Sequence, residues 1–107
     1  MAVTFTFTEA VSGKQNMGSL FARIGTLNLS GTASAGGDTI TAALVGLSRI
    51  LHVNTEGCTA EGFVPAISYS GVNAVLKLFQ QTGTAAALVV ATGATVTGSM
   101  PVIIYGL

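Results

Sequence analysis

The chain has 107 residues, four basic and four acidic side chains, no net charge and only 7% charged residues, against about 25% in an average soluble domain. That length reads as one domain, residues 1–107, able to bury roughly 65% of its unfolded surface. Scattered, balanced charge argues against a nucleic-acid partner, which calls for clustered Lys and Arg. The longest apolar run, AAALVVA at Ala85–Ala91, is far short of the about 20 residues of a spanning helix.

The first segment, AVTFTFTE, alternates Val3, Phe5 and Phe7 with Thr4, Thr6 and Thr8, the period of a strand with one buried face. No basic region leads into an apolar block there, so no signal peptide is expected. SGKQNMGS reads as a loop. In LFARIGTLNLSG, Phe21, Arg23, Gly25, Leu27 and Leu29 share one face, while Leu20, Ala22, Ile24, Thr26 and Asn28 share the other. The phase slips around Gly25, where a bulge or bend would let the strand change its buried face. TASAGGD is a turn-rich connection.

Asp38 stands where a helix N-cap would, Ala42, Ala43 and Leu44 favour helix, and Gly46 offers a left-handed stop. A short helical turn over Thr39–Val45 follows, with a strand through Thr39, Ile40 and Thr41 as its rival. LSRILHVNT resumes as a strand, with Arg49 at the rim. EGCTAEG is a loop. FVPAISYS is a strand whose Pro65, lacking an N–H, belongs at an edge or at the strand's start. GVN turns into AVLKLFQQ, with Val75, Lys77 and Phe79 opposite Leu76, Leu78 and Gln80. A further strand is expected around Ala87–Ala91. The last runs from Thr95, breaks near Gly98–Pro101 and ends on Val102–Tyr105. About seven short strands with one helical turn near residues 39–45 predict an all-β fold, an antiparallel β-sandwich or jelly-roll-like barrel.

Catalysis requires titratable or nucleophilic groups brought together, and the supply is thin, so no enzyme, cofactor or metal is expected. His52, Glu56 and Cys58 lack the paired spacings of a zinc site, and Cys58 alone excludes an intrachain disulfide framework. GLSRI is not a G-x-S-x-G elbow, and the glycine-rich turns lack the phosphate-loop lysine. Without Trp and with only two Tyr, the chain offers little for a glycan platform. Tyr69 and Tyr105 are expected in the core or at a subunit contact, hydroxyls at the rim.

Low net charge favours association, and no Asp, Glu, Lys or Arg follows Lys77. Such a surface is read as facing another protein. Phe5 and Phe7 read first as core. The alternative is that the first or last strand adds to a neighbour's sheet edge, which makes Val3, Phe5, Phe7, Val102, Ile104 and Tyr105 the candidate interface residues.

The layout resembles the small head-decoration, or cement, proteins of tailed bacteriophages. The resemblance lies in a strand beginning at Met1, the turn SAGGDTITAALVGLS, the hairpin GVNAVLKLFQ with Asn73 and Val75, and an end just past a hydrophobic strand. It implies a β-rich structural virion protein, made in the host bacterial cytoplasm, that binds the outer face of an icosahedral capsid. Such proteins bridge capsomers, often as homotrimers, with the major capsid protein and their own copies as partners. They involve no nucleic acid, membrane, cofactor or catalysis. The alternatives are a tail-tube, head-completion or fibre subunit, or a glycan-binding β-sandwich module.

Overall fold

In a computed structural model, the described residues are 1–7, 15–55, 62–81 and 87–107, with residues 15–17 described by their backbone alone. The loop EGCTAEG, with Glu56, Cys58 and Glu61, lies outside them except for Gly62, as do Thr8, Glu9 and Lys14.

Nine strands occur among the described residues: β1 Ala2–Phe7, β2 Gln15–Met17, β3 Leu20–Thr32, β4 Asp38–Ile40, β5 Ile50–Thr55, β6 Val64–Ser70, β7 Asn73–Gln81, β8 Leu88–Val90 and β9 Thr95–Gly106. All pairings are antiparallel, and they build two sheets. Sheet A runs β1-β3-β9-β5, with β2 following β1 along the same edge of β3. Sheet B runs β4-β7-β6, with β8 sharing the β4 edge of β7. The all-β sandwich expected from alternation and turn spacing is therefore the observed architecture.

Alternate residues of β3, β7 and β9 point between the sheets. Leu27, Ile40, Leu76, Met100 and Ile104 are fully buried there, each worth about 1.5–3 kcal/mol of apolar transfer. The two layers are stitched at their edges by hydrogen bonds. The Val53 N–H donates to the Tyr69 hydroxyl at 3.0 Å, and the Ile50 N–H donates to the Val72 carbonyl at 2.8 Å. On the opposite edge the Met1 ammonium pairs with Asp38 at 3.1 Å.

Several local expectations are corrected. The helical turn covers only Ala43–Val45, as a 3-10 turn, while Asp38–Ile40 is strand β4, paired with Leu76–Ala74 of β7. Asp38 caps nothing, because its carboxylate is engaged with Met1. The capping role falls to Thr41, whose hydroxyl accepts the Leu44 N–H, and to Asn73, whose Oδ1 accepts the Ala42 N–H. Gly46 does close the turn, at φ 71°, a conformation that costs glycine little.

β3 does not change its buried face at Gly25. Its register against both β1 and β9 is continuous, so Arg23 stays in phase with Leu27 and Leu29 and is buried. Gly25 is present for another reason: a Cβ there would collide with the Phe5 ring and the Thr6 carbonyl. β9 likewise runs unbroken through Gly98–Pro101. Its pairing with β5 begins at Val102, so on that flank Pro101 is asked for no ladder donor. Part of the expected loop at residues 12–19 is strand β2, paired with Leu20–Ala22. Pro65 lies second in β6, at the edge of sheet B, as its missing N–H requires.

Candidate functional site

The outward face of sheet A is the broadest feature the fold displays. Its side chains follow from pleat and register, because residues two apart share a face. The innermost rows at one end are Ala22–Tyr105–His52 and Ile24–Ile103–Asn54, taken across β3, β9 and β5. Thr6–Thr26–Pro101 comes next, across β1, β3 and β9, followed by Thr4–Asn28–Ser99 and Ala2–Ser30–Thr97. Leu20 and Thr32 lie at the two extremes.

Two properties of this face stand out. Among the described residues, none of its positions is Asp, Glu, Lys or Arg. The described cations and acid lie elsewhere: Arg23 on the inward side of β3, Asp38 on β4, Lys77 on β7 and Arg49 in the connection before β5. The face is also divided lengthwise. One half carries Leu20, Ile24, Ile103 and Tyr105, and the other carries threonine, serine and asparagine. The Asn28 amide donates to the Thr6 hydroxyl at 2.8 Å, which ties β1 to β3 side chain to side chain.

Where the halves meet there is a depression of about 210 Å³ among Ile24, Gly25, Asn54, Pro101 and Ile103. It lies where β5 ends at Thr55, opposite Val102, so that among the described residues Pro101 has no pairing partner on that flank. It is smaller than the about 300–1,000 Å³ of a drug-sized ligand site.

At the apolar end His52 stands between two tyrosines. The Tyr69 oxygen, already accepting the Val53 N–H, is 3.4 Å from His52 Nδ1, so its own O–H can donate to that nitrogen in the matching tautomer. The Tyr105 ring lies 6.1 Å from the imidazole on the other side. The arrangement clamps β6 to β5 and fixes the imidazole at the margin of the uncharged face. Glu56 and Cys58, weighed with His52 as a metal set, lie outside the described residues. Within those residues no three His, Cys, Asp or Glu side chains gather.

The six interface candidates fare differently. Val102 and Ile104 are core, at 3% and 0% exposure, and β9 is paired on both flanks over Val102–Gly106. The last strand therefore has no free ladder there to lend, which corrects that expectation. Val3 and Phe5 are half-buried against the core, consistent with their first reading, and β1 pairs with β3 of its own chain. Phe7 is 45% exposed, with the Arg23 guanidinium carbon 4.0 Å above its ring centroid. Tyr105 alone of the six lies on the uncharged face. Ile24, Thr26 and Ile103 were missed as surface candidates. The signal for Ile24 and Thr26 is the even-numbered phase of LFARIGTLNLSG, once Arg23 is assigned inward, and for Ile103 it is the odd-numbered phase of the last strand, alternating with Val102 and Ile104.

No family model, curated protein or solved structure matches this chain.

Proposed function

We propose that the protein is a structural component of a protein assembly, in the form the resemblance implies: a decoration protein on the outer surface of a phage capsid, bridging capsomers. The observation that carries the reading is the uncharged outward face of sheet A. Covering a charged surface takes ions out of water at several kcal/mol each, whereas a face of Thr, Ser, Asn, Ile and Tyr costs far less to cover. Over the length of β3 and β9 the face offers a footprint comparable to the about 800 Å² per partner of a standard protein interface. Repeated modest contacts, made simultaneously to several shell subunits, then multiply through effective concentration.

The test is co-sedimentation with empty, expanded capsids of the virus that encodes it, followed by counting copies per particle. Hundreds of copies, retained between 0.1 and 1 M salt (concentrations that shorten the screening length from about 10 Å to 3 Å), are the expected result. A dozen or fewer copies would favour a head-completion role. No binding, or release rising steeply with salt, would overturn the reading.

A further inference from the structure

We infer that the uncharged face of sheet A takes a second copy of the same chain, the two stacking about a two-fold axis that passes through the Ile24–Ile103 row. The inference rests on the reading of this face as one covered by protein, and it names the partner.

Three observations lead to it. First, an isologous contact sets every residue group of a patch against a copy of that patch. A surface bearing charge of one sign repels itself in that arrangement, and this face, among the described residues, bears none from Asp, Glu, Lys or Arg. Second, the lengthwise division selects the axis. A two-fold at Ile24–Ile103 lays those side chains, Ile24 being 40% exposed, against their own copies. It sets the Ala22–Tyr105–His52 row over the partner's row of Thr6, Thr26 and Pro101. An axis nearer Ser99 would instead bury hydroxyls and leave Tyr105 and Leu20 uncovered. The depression beside Ile24 and Ile103 lies next to that axis, so each copy presents both an aliphatic knob and a hollow for one.

Third, the area is sufficient. Overlap from the Leu20 row to the Asn28 row covers five rows of about 6.8 Å and roughly three strands of about 4.8 Å. That is roughly 500 Å² of projected area per copy and about 1,000 Å² in all, at the threshold for a specific but weak interface. The two faces would stack about 10 Å apart and roughly 30° from aligned, as sheets do. The rows of Ser30, Thr32, Thr95 and Thr97 remain outside the overlap. A dimer of this kind presents those uncharged hydroxyl rows of the same face at its two opposite ends, one set from each copy, where two capsomers would be bridged.

Sedimentation velocity of the full chain from 1 to 100 µM tests this. A concentration-dependent monomer–dimer equilibrium is expected, with Ile24→Lys and Thr26→Lys each weakening it at least tenfold while circular dichroism stays unchanged. Should Ile24→Lys disturb the fold, Thr26→Lys decides alone. A monomer at 100 µM, a trimer, or a dimer indifferent to lysine at Thr26 overturns the inference. Capsid binding by a wild-type monomer would remove only the self-docking, whereas a dimer that ignores capsids would remove only the virion role.

Discussion

The two faces of sheet A are made by the same strands and obey opposite rules. Inward, β3 and β9 present Leu27, Leu29, Val96, Met100 and Ile104, all buried, where side-chain volume and shape decide stability. Outward, the intervening residues of β3 and β9 are mostly small, hydroxylated or aliphatic, and apart from Ala22, which is itself buried, they are half-buried or exposed. The inward face is constrained by the fold throughout; the outward face is less constrained, yet among the described residues it carries no Asp, Glu, Lys or Arg. Ordinary solvent-exposed strands carry Lys and Glu at such positions, partly to discourage association. Their omission here is what makes the outward face informative about function.

The largest break in that contrast is expected from Leu27→Ala. Leu27 is fully buried opposite Phe5 and Met100, and truncating such a leucine costs about 2–5 kcal/mol by loss of transfer energy plus a cavity. Chemical denaturation with an unchanged m-value would measure it.

Gly25→Val comes next. The new Cβ meets the Phe5 ring and the backbone carbonyl of Thr6, so β1 must shift off β3. A loss of about 1–3 kcal/mol is expected, as for overpacking generally, with amide exchange accelerated in β1 ahead of β9. Equal acceleration in both strands would show that Gly25 matters for some reason other than the close approach of β1.

How much of this was legible beforehand divides along the same line. Alternation in AVTFTFTE and LFARIGTLNLSG gave the strands and the sandwich, because period-two patterning reports burial directly. The inward placement of Arg23 was not legible, since a cation between apolar residues looks like a change of phase. In the fold its guanidinium stacks on Phe7, a partner sixteen positions away that only strand pairing supplies. Asp38 misled for a similar reason. N-cap preference is local, whereas the Met1 ammonium and the β7 ladder that claim this residue are distant in sequence. The break forecast at Gly98–Pro101 failed because proline excludes a strand only where a ladder donor is needed, and the neighbouring strand ends one residue earlier. The uncharged face was half legible: composition shows that charge is scarce, and pairing places Arg23, Asp38 and Lys77, among the described residues, off that face.

Two smaller effects sharpen the boundary between the faces. Phe7→Leu keeps apolar bulk but removes the ring beneath the Arg23 guanidinium. About 1 kcal/mol is expected to be lost, within the range for partly desolvated cation–π contacts. An unchanged melting temperature would show that the stack contributes nothing. Tyr69→Phe removes the acceptor of the Val53 N–H and the link to His52. A net loss of about 0.5–1.5 kcal/mol follows for one such bond, and exchange of the Val53 amide should rise more than that of Ile50, whose acceptor is the Val72 carbonyl.

The smallest stability effect is expected from Ser99→Lys, and it isolates the outward face most cleanly. Ser99 is exposed, lies opposite Asn28 in the register, and a lysine there can extend into solvent without displacing any core atom. Surface substitutions of that kind stay within about ±0.5 kcal/mol, so the melting temperature should hardly move. Association is a different matter. Ser99 sits at the margin of the proposed overlap, where a cation would face Leu20 of the second copy and part of its hydration would be stripped. The dimer should weaken, though less than with Ile24→Lys or Thr26→Lys, which place the charge nearer the axis. A graded series in which self-association falls as the lysine approaches Ile24, at constant folding stability, is the signature of a two-fold contact centred there. If all three lysines act alike, the contact is centred elsewhere on the face; if none acts, the face is not the contact.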